Sequence, residues 1–136
     1  MLARPEQVDL VVAAMLSVSA FPLEKAQQIV PKLRSARLLD PDHACNLDAA
    51  VYASAVSSAG YDRGALTPMY AARLRGLMDA LRKGSLDQLA TAVSARDEVA
   101  CLKLLQTIKG IGPMVAKTAW ILLTHFDGRP TRGDES

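Results

Sequence analysis

From Gln106 to Lys117 the sequence reads Gln-Thr-Ile-Lys-Gly-Ile-Gly-Pro-Met-Val-Ala-Lys, two glycines one residue apart, followed at once by proline and bracketed by lysines. Proline suits the first position of a helix, because its missing N–H would be unbonded there anyway. Bare Gly112 ahead of it leaves the next amides uncovered. A helix that starts this way offers unpaired N–H groups and the positive end of its dipole. That is a ready anion site, and a nucleic-acid phosphate fits it. Lys109 and Lys117 add screened attraction to a phosphate backbone. A lone Gly-x-Gly carries little weight, but here the whole string from Ile108 to Ala116 is present. The residues expected to meet DNA are Lys109, Gly110, Ile111, Gly112, Pro113, Met114, Val115 and Lys117.

A helix on each side must hold that turn, giving a helical hairpin over 102–123. Leu102, Leu105 and Ile108 are spaced to share one face of the first helix. Gly110 is expected to end it in the left-handed conformation, Ile111 to plug the gap between helices, and small Ala116 to let them approach. Upstream, Pro5 starts a helix through Leu16 that is apolar around most of its circumference and so belongs at the centre of a bundle. Pro22 opens a second helix, bent or interrupted at Pro31, and Leu33, Leu38 and Leu39 bury the turn after it. Asp40-Pro41 marks another start, and Asn46 is expected to cap a helix over Leu47 to Ser58. Residues 61–66 read as an exposed polar loop, from which Tyr61 and Arg63 are the candidates to touch DNA. Thr67-Pro68 then opens a helix carrying Leu74, Leu77, Met78 and Leu81, closed by Gly84. Ser85 and Gln88 suggest a capping box for Leu86 to Val93, and Ser94 a cap for the helix that leads into the hairpin. Beyond Leu123 the pattern gives way to a loop tightened by Phe126 and a frayed end.

Composition points the same way. The 136 residues suit one domain, and half are hydrophobic but only 4% aromatic, which favours helices packed on helices. The expected fold is all-α, a compact helical bundle or barrel over 1–126 with the hairpin near its C-terminus and a tail over 127–136. Net charge is +2, too mild to demand a nucleic-acid partner but compatible with one. From residue 101 on, Lys103, Lys109, Lys117, Arg129 and Arg132 face only Asp127, Asp134 and Glu135, so the excess gathers around the hairpin. Cys45 and Cys101 have no metal-ligand spacing and read as free, buried thiols of a cytoplasmic protein. Two cysteines build no iron-sulfur cluster. His43 and His125 lack a second ligand at metal spacing, and Trp120, Met15 and Met78 read as core. Met1 to Gln7 has no signal-peptide pattern, and Leu10 to Leu16 is too short to span a bilayer, so no membrane role is expected.

In order and spacing these features resemble the helix-hairpin-helix superfamily of DNA glycosylases, which includes endonuclease III, the adenine-mismatch glycosylase and 3-methyladenine glycosylases. Met15-Leu16-Ser17 resembles that family's early leucine-leucine-serine helix, Ala59-Gly60-Tyr61 its Gly-aromatic turn, and the string around Gly110 its hairpin. The resemblance implies a base-excision DNA-repair role, with the hairpin gripping double-stranded, damaged DNA while a base is turned out of the stack. It also implies a catalytic carboxylate about two dozen residues past the first hairpin glycine, and Asp134 falls in that window. A carboxylate there would stabilise charge developing on the deoxyribose or activate water. Where lyase members carry a nucleophilic lysine this chain has Met114, so an active enzyme would be a hydrolase, a monofunctional N-glycosylase without Schiff-base lyase activity. Family hairpins often hold a monovalent cation, K or Na, on backbone carbonyls, which here belong to Gln106, Ile108 and Ile111. Relatives brace the carboxylate with a further helix and a second domain, so the cleft here is expected to be completed by a homodimer, a partner protein or further parts of a longer protein. The alternative is a non-catalytic DNA-binding or complex-forming module on the same fold.

Overall fold

A computed structural model describes residues 5–17 and 21–126. They fold as helices joined by turns: α1 Pro5–Leu16, α2 Leu23–Ser35, α3 Pro41–Cys45, α4 Ala49–Ser58, a 3-10 turn Gly64–Leu66, α5 Thr67–Arg82, α6 Leu89–Ser94, α7 Glu98–Gln106 and α8 Pro113–Phe126. The all-α bundle is thus present. Among the described residues no helix is long and apolar enough to cross a membrane.

The centre is α1, as its all-round apolarity demands. Val8, Val11, Val12, Ala13, Ala14, Met15 and Leu16 are all buried, and α1 packs against α2, α5 and α8. On α5, Ala71, Leu74, Leu77 and Met78 form a buried stripe at helical spacing, and this helix also carries α3 and α4. Ala116, Ala119, Leu122 and Leu123 face α8 inward.

Several boundaries move from their expected places. Pro31 does not stop α2, which runs through it to Ser35. Pro31 is exposed, so its lost hydrogen bond falls on the outer side while Ala26, Ile29, Val30 and Leu33 hold the inner side to the core. Asp40 caps α3 as expected, accepting from the amides of Asp42 and His43 at 3.2 and 3.4 Å. Asn46, however, closes α3 and does not open α4, whose N-cap is Asp48. The capping box of Ser85 and Gln88 does not form, since α6 starts only at Leu89 and the Gln88 side chain makes no cap bond. Asp97, not Ser94, caps α7 through Ala100 N at 3.1 Å. At the far end α8 continues through Thr124 and His125 to Phe126, where a loop was expected.

The cysteines differ from expectation in one respect: Cys101 is buried but Cys45 is only half-buried and lines an open groove of about 790 Å³ between α4 and α5. Burial pushes the Cys101 thiol up to about 11, with Glu98 and Asp97 adding to it. Only a thiolate attacks a disulfide reagent. In native protein at pH 8 a chromogenic disulfide should therefore titrate one thiol promptly, and the second only after denaturant. Two equally fast thiols would contradict this packing.

Candidate nucleic-acid interface

The helix entering the turn stops earlier than its sequence suggested. It ends at Gln106, and Cys101 and Leu105 are its buried residues; Leu102 is only half-buried. Two tightening bonds follow, Thr107 N to Leu104 O at 3.2 Å and Ile108 N to Leu105 O at 3.1 Å. Thr107 Oγ1 also donates to Leu104 O at 2.6 Å. Ile108 and Ile111 are both buried, and Ile111 N donates to Ile108 O at 3.1 Å, so the two isoleucines anchor the connection from inside.

Between them, Gly110 has φ +97°, a conformation that suits glycine. It also touches α5: a Cβ there would lie 2.8 Å from Cγ and 2.9 Å from Cδ of Arg73. Gly112 is different. A Cβ there would meet nothing within 4 Å.

Gly112 is the N-cap of α8, because its carbonyl accepts the first intrahelical bond, from Ala116 N at 2.9 Å. Having no side chain, it caps nothing. Pro113 follows as the first helical residue, as its type demands. Among the described residues none accepts from the amides of Gly112, Met114 or Val115. Three donors thus stand together at the positive end of a 14-residue helix. Pro113 and Met114 are exposed, Met114 to 84%, and Val115 is half-buried.

The two lysines do not share one role. Lys117 is turned to α7, where its Nζ pairs with the Glu98 carboxylate, so much of its charge is already met. Lys109 is exposed and no described carboxylate pairs with it. The second free cation beside the turn is Arg73, whose side chain lies over Gly110 with its guanidinium 5.8 Å from the Tyr70 ring centroid. Sequence reasoning missed it as a site residue. It sits on α5, and nothing local announces which helix will meet the turn.

The loop leading into α5 is exposed as expected at Asp62, Gly64, Ala65 and Leu66, but Arg63 is half-buried and Tyr61 is not exposed at all. Tyr61 is fully buried, its hydroxyl donating to Leu16 O at 3.0 Å. Its ring stands edge-on to Phe21 and Tyr70 at centroid distances of 4.7 and 5.7 Å. Burial raises the Tyr61 pKa against the pull of the neighbouring Arg63 charge. Asp134 lies outside the described residues. Of the three carbonyls considered for a cation, that of Ile108 accepts the Ile111 amide and keeps its second lone pair. No family model, curated protein or solved structure matches this chain.

Proposed function

We propose that the chain binds double-stranded DNA through its sugar-phosphate backbone, and that it is a base-excision-repair protein of the helix-hairpin-helix glycosylase type. The observation that carries this is the cluster of three unaccepted amides at Gly112, Met114 and Val115, opening onto space beside a side-chain-free N-cap. A phosphate oxygen there accepts charge-assisted hydrogen bonds that the folded chain leaves unmade. Lys109 and Arg73 supply the field around it. Such contacts hold a strand without reading its bases. Lesion choice and excision therefore fall to other groups, first among them Asp134.

Duplex binding followed by fluorescence anisotropy is expected to be insensitive to sequence and to weaken steeply with salt, log K falling by about 0.9 per phosphate neutralised. Binding that ignores salt, or none at all, removes the proposal. Replacing KCl by tetramethylammonium chloride at equal ionic strength tests the monovalent cation on Gln106, Ile108 and Ile111, which should lower affinity if that ion braces the turn. Single-turnover assays on damaged duplexes, comparing the intact chain with Asp134→Asn, separate enzyme from binding module. Base loss that disappears in the variant makes it a glycosylase. Binding without base loss on every lesion leaves the non-catalytic module, alone or completed by a second copy or another protein.

A further inference from the structure

Two arginines in the described part of the chain lack a carboxylate or carbonyl partner, and both sit on the same ring. Arg34, Arg37 and Arg82 are each paired with an aspartate. Arg75 donates to the carbonyls of Ala44 and Cys45, and Arg96 to that of Thr124. Arg63 and Arg73 instead lie with Cζ 5.4 and 5.8 Å from the Tyr70 centroid. Arg63 is also 5.9 Å from the Phe21 centroid and 6.0 Å from that of Tyr61.

Ring faces attract a guanidinium but give its N–H groups no acceptor in line. The consequence is visible at Arg63 Nη1, which is shut off from solvent with no hydrogen-bond partner among the described residues. Nη1 itself is closed to an incoming ligand, but Arg63 is only half-buried and Arg73 is exposed, so their other N–H groups can donate to an acceptor arriving at the edge of this cluster. Arg73 places the cluster next to the α7–α8 turn, since its stem covers Gly110 while the residue stays exposed.

We infer that Arg63 and Arg73, set about Tyr70, form a second contact to the DNA backbone, taking a phosphate beside the one held by the turn amides; this presupposes the DNA-binding role proposed above. Arginine suits such a point because its planar fork matches two phosphate oxygens at once.

The test uses Arg63→Met and Arg73→Met, which remove charge but keep the stem that packs on the ring or on Gly110. Arg63→Gln and Arg73→Gln serve the same comparison should a methionine variant fold poorly by circular dichroism. Each substitution should weaken duplex binding roughly eightfold at 0.1 M KCl, the worth of one released counterion referred to 1 M. Each should also lower the slope of log K against log salt by about 0.9. Affinity lost at unchanged slope in either variant means a merely structural role and overturns the inference. If the slopes hold while Gly112→Asp still weakens binding, the second contact falls and the grip of the turn stands. A wild-type chain that binds no duplex removes both.

Discussion

Gly112→Asp is expected to make the protein more stable and to cost it DNA. At an N-cap, an aspartate side chain accepts from the amides two and three residues on, which here are Met114 and Val115. Those are two of the three donors left open in the native chain. The substitution meets no steric resistance, because a Cβ at this position has no atom within 4 Å and the φ of Gly112 lies outside the left-handed region. Replacing glycine by aspartate at an N-cap gains a few tenths of a kcal/mol, and a negative charge at the positive end of the dipole adds about 0.3–1 kcal/mol. The melting temperature should rise by a few degrees. Duplex affinity should fall at least a hundredfold, since two charge-assisted bonds at about 1.5 kcal/mol each are pre-empted and the new carboxylate repels the phosphate. Gly112→Asn separates the two causes, for it caps without charge and should lose most of the affinity but less than the aspartate does. Gly112→Ala, which caps nothing, should lose least. An aspartate variant that is stabilised yet binds duplex as well as the parent would show that these amides touch no phosphate.

The turn itself was legible in the sequence. Gly112 and Pro113 announce by residue type alone a helix start with an uncovered N-cap, although α2, α4, α5 and α6 also start without a side-chain cap bond. Pro5, Pro68 and Asp40-Pro41 were likewise legible as starts; of the caps expected there Asp40 forms its bonds, whereas Thr67 lies inside α5 and its hydroxyl accepts from Arg63 N at 2.7 Å. Where two residues of capping type stand near one start, residue type alone does not choose between them. Asn46 and Asp48 are both good caps, and so are Ser94 and Asp97. In each case the later one opens the helix, while Asn46 closes α3 and Ser94 ends α6. Pro31 does not interrupt α2 because the four buried residues on the inner face of the helix outweigh one exposed proline. The meeting of Arg73 with Gly110, like the aromatic cluster around Arg63, joins parts of the chain far apart in sequence and leaves no mark in either stretch alone.

The same contact makes Gly110 the opposite of its neighbour. Gly110→Ala should destabilise the fold by about 2–3 kcal/mol, from two sources that can be measured apart. The first is conformational: at φ +97° an L-residue with a Cβ is strained by roughly 1–2 kcal/mol. The second is steric. The new methyl would sit 2.8, 2.9 and 3.2 Å from Cγ, Cδ and Cβ of Arg73, so the Arg73 side chain must leave its rotamer, or α5 or the turn must shift. Arg73→Ala removes two of those three atoms. In that background Gly110→Ala should cost the conformational part and little more, the Cβ contact at 3.2 Å remaining, so urea denaturation of the four proteins should show a coupling of about 1 kcal/mol. Equal costs with and without the Arg73 stem would mean that α5 does not hold the turn. Against a total stability on the order of 5–15 kcal/mol, the single variant remains folded. Its duplex affinity then reports directly on whether the position of the turn on α5, and not merely its sequence, is what presents the amides to a strand.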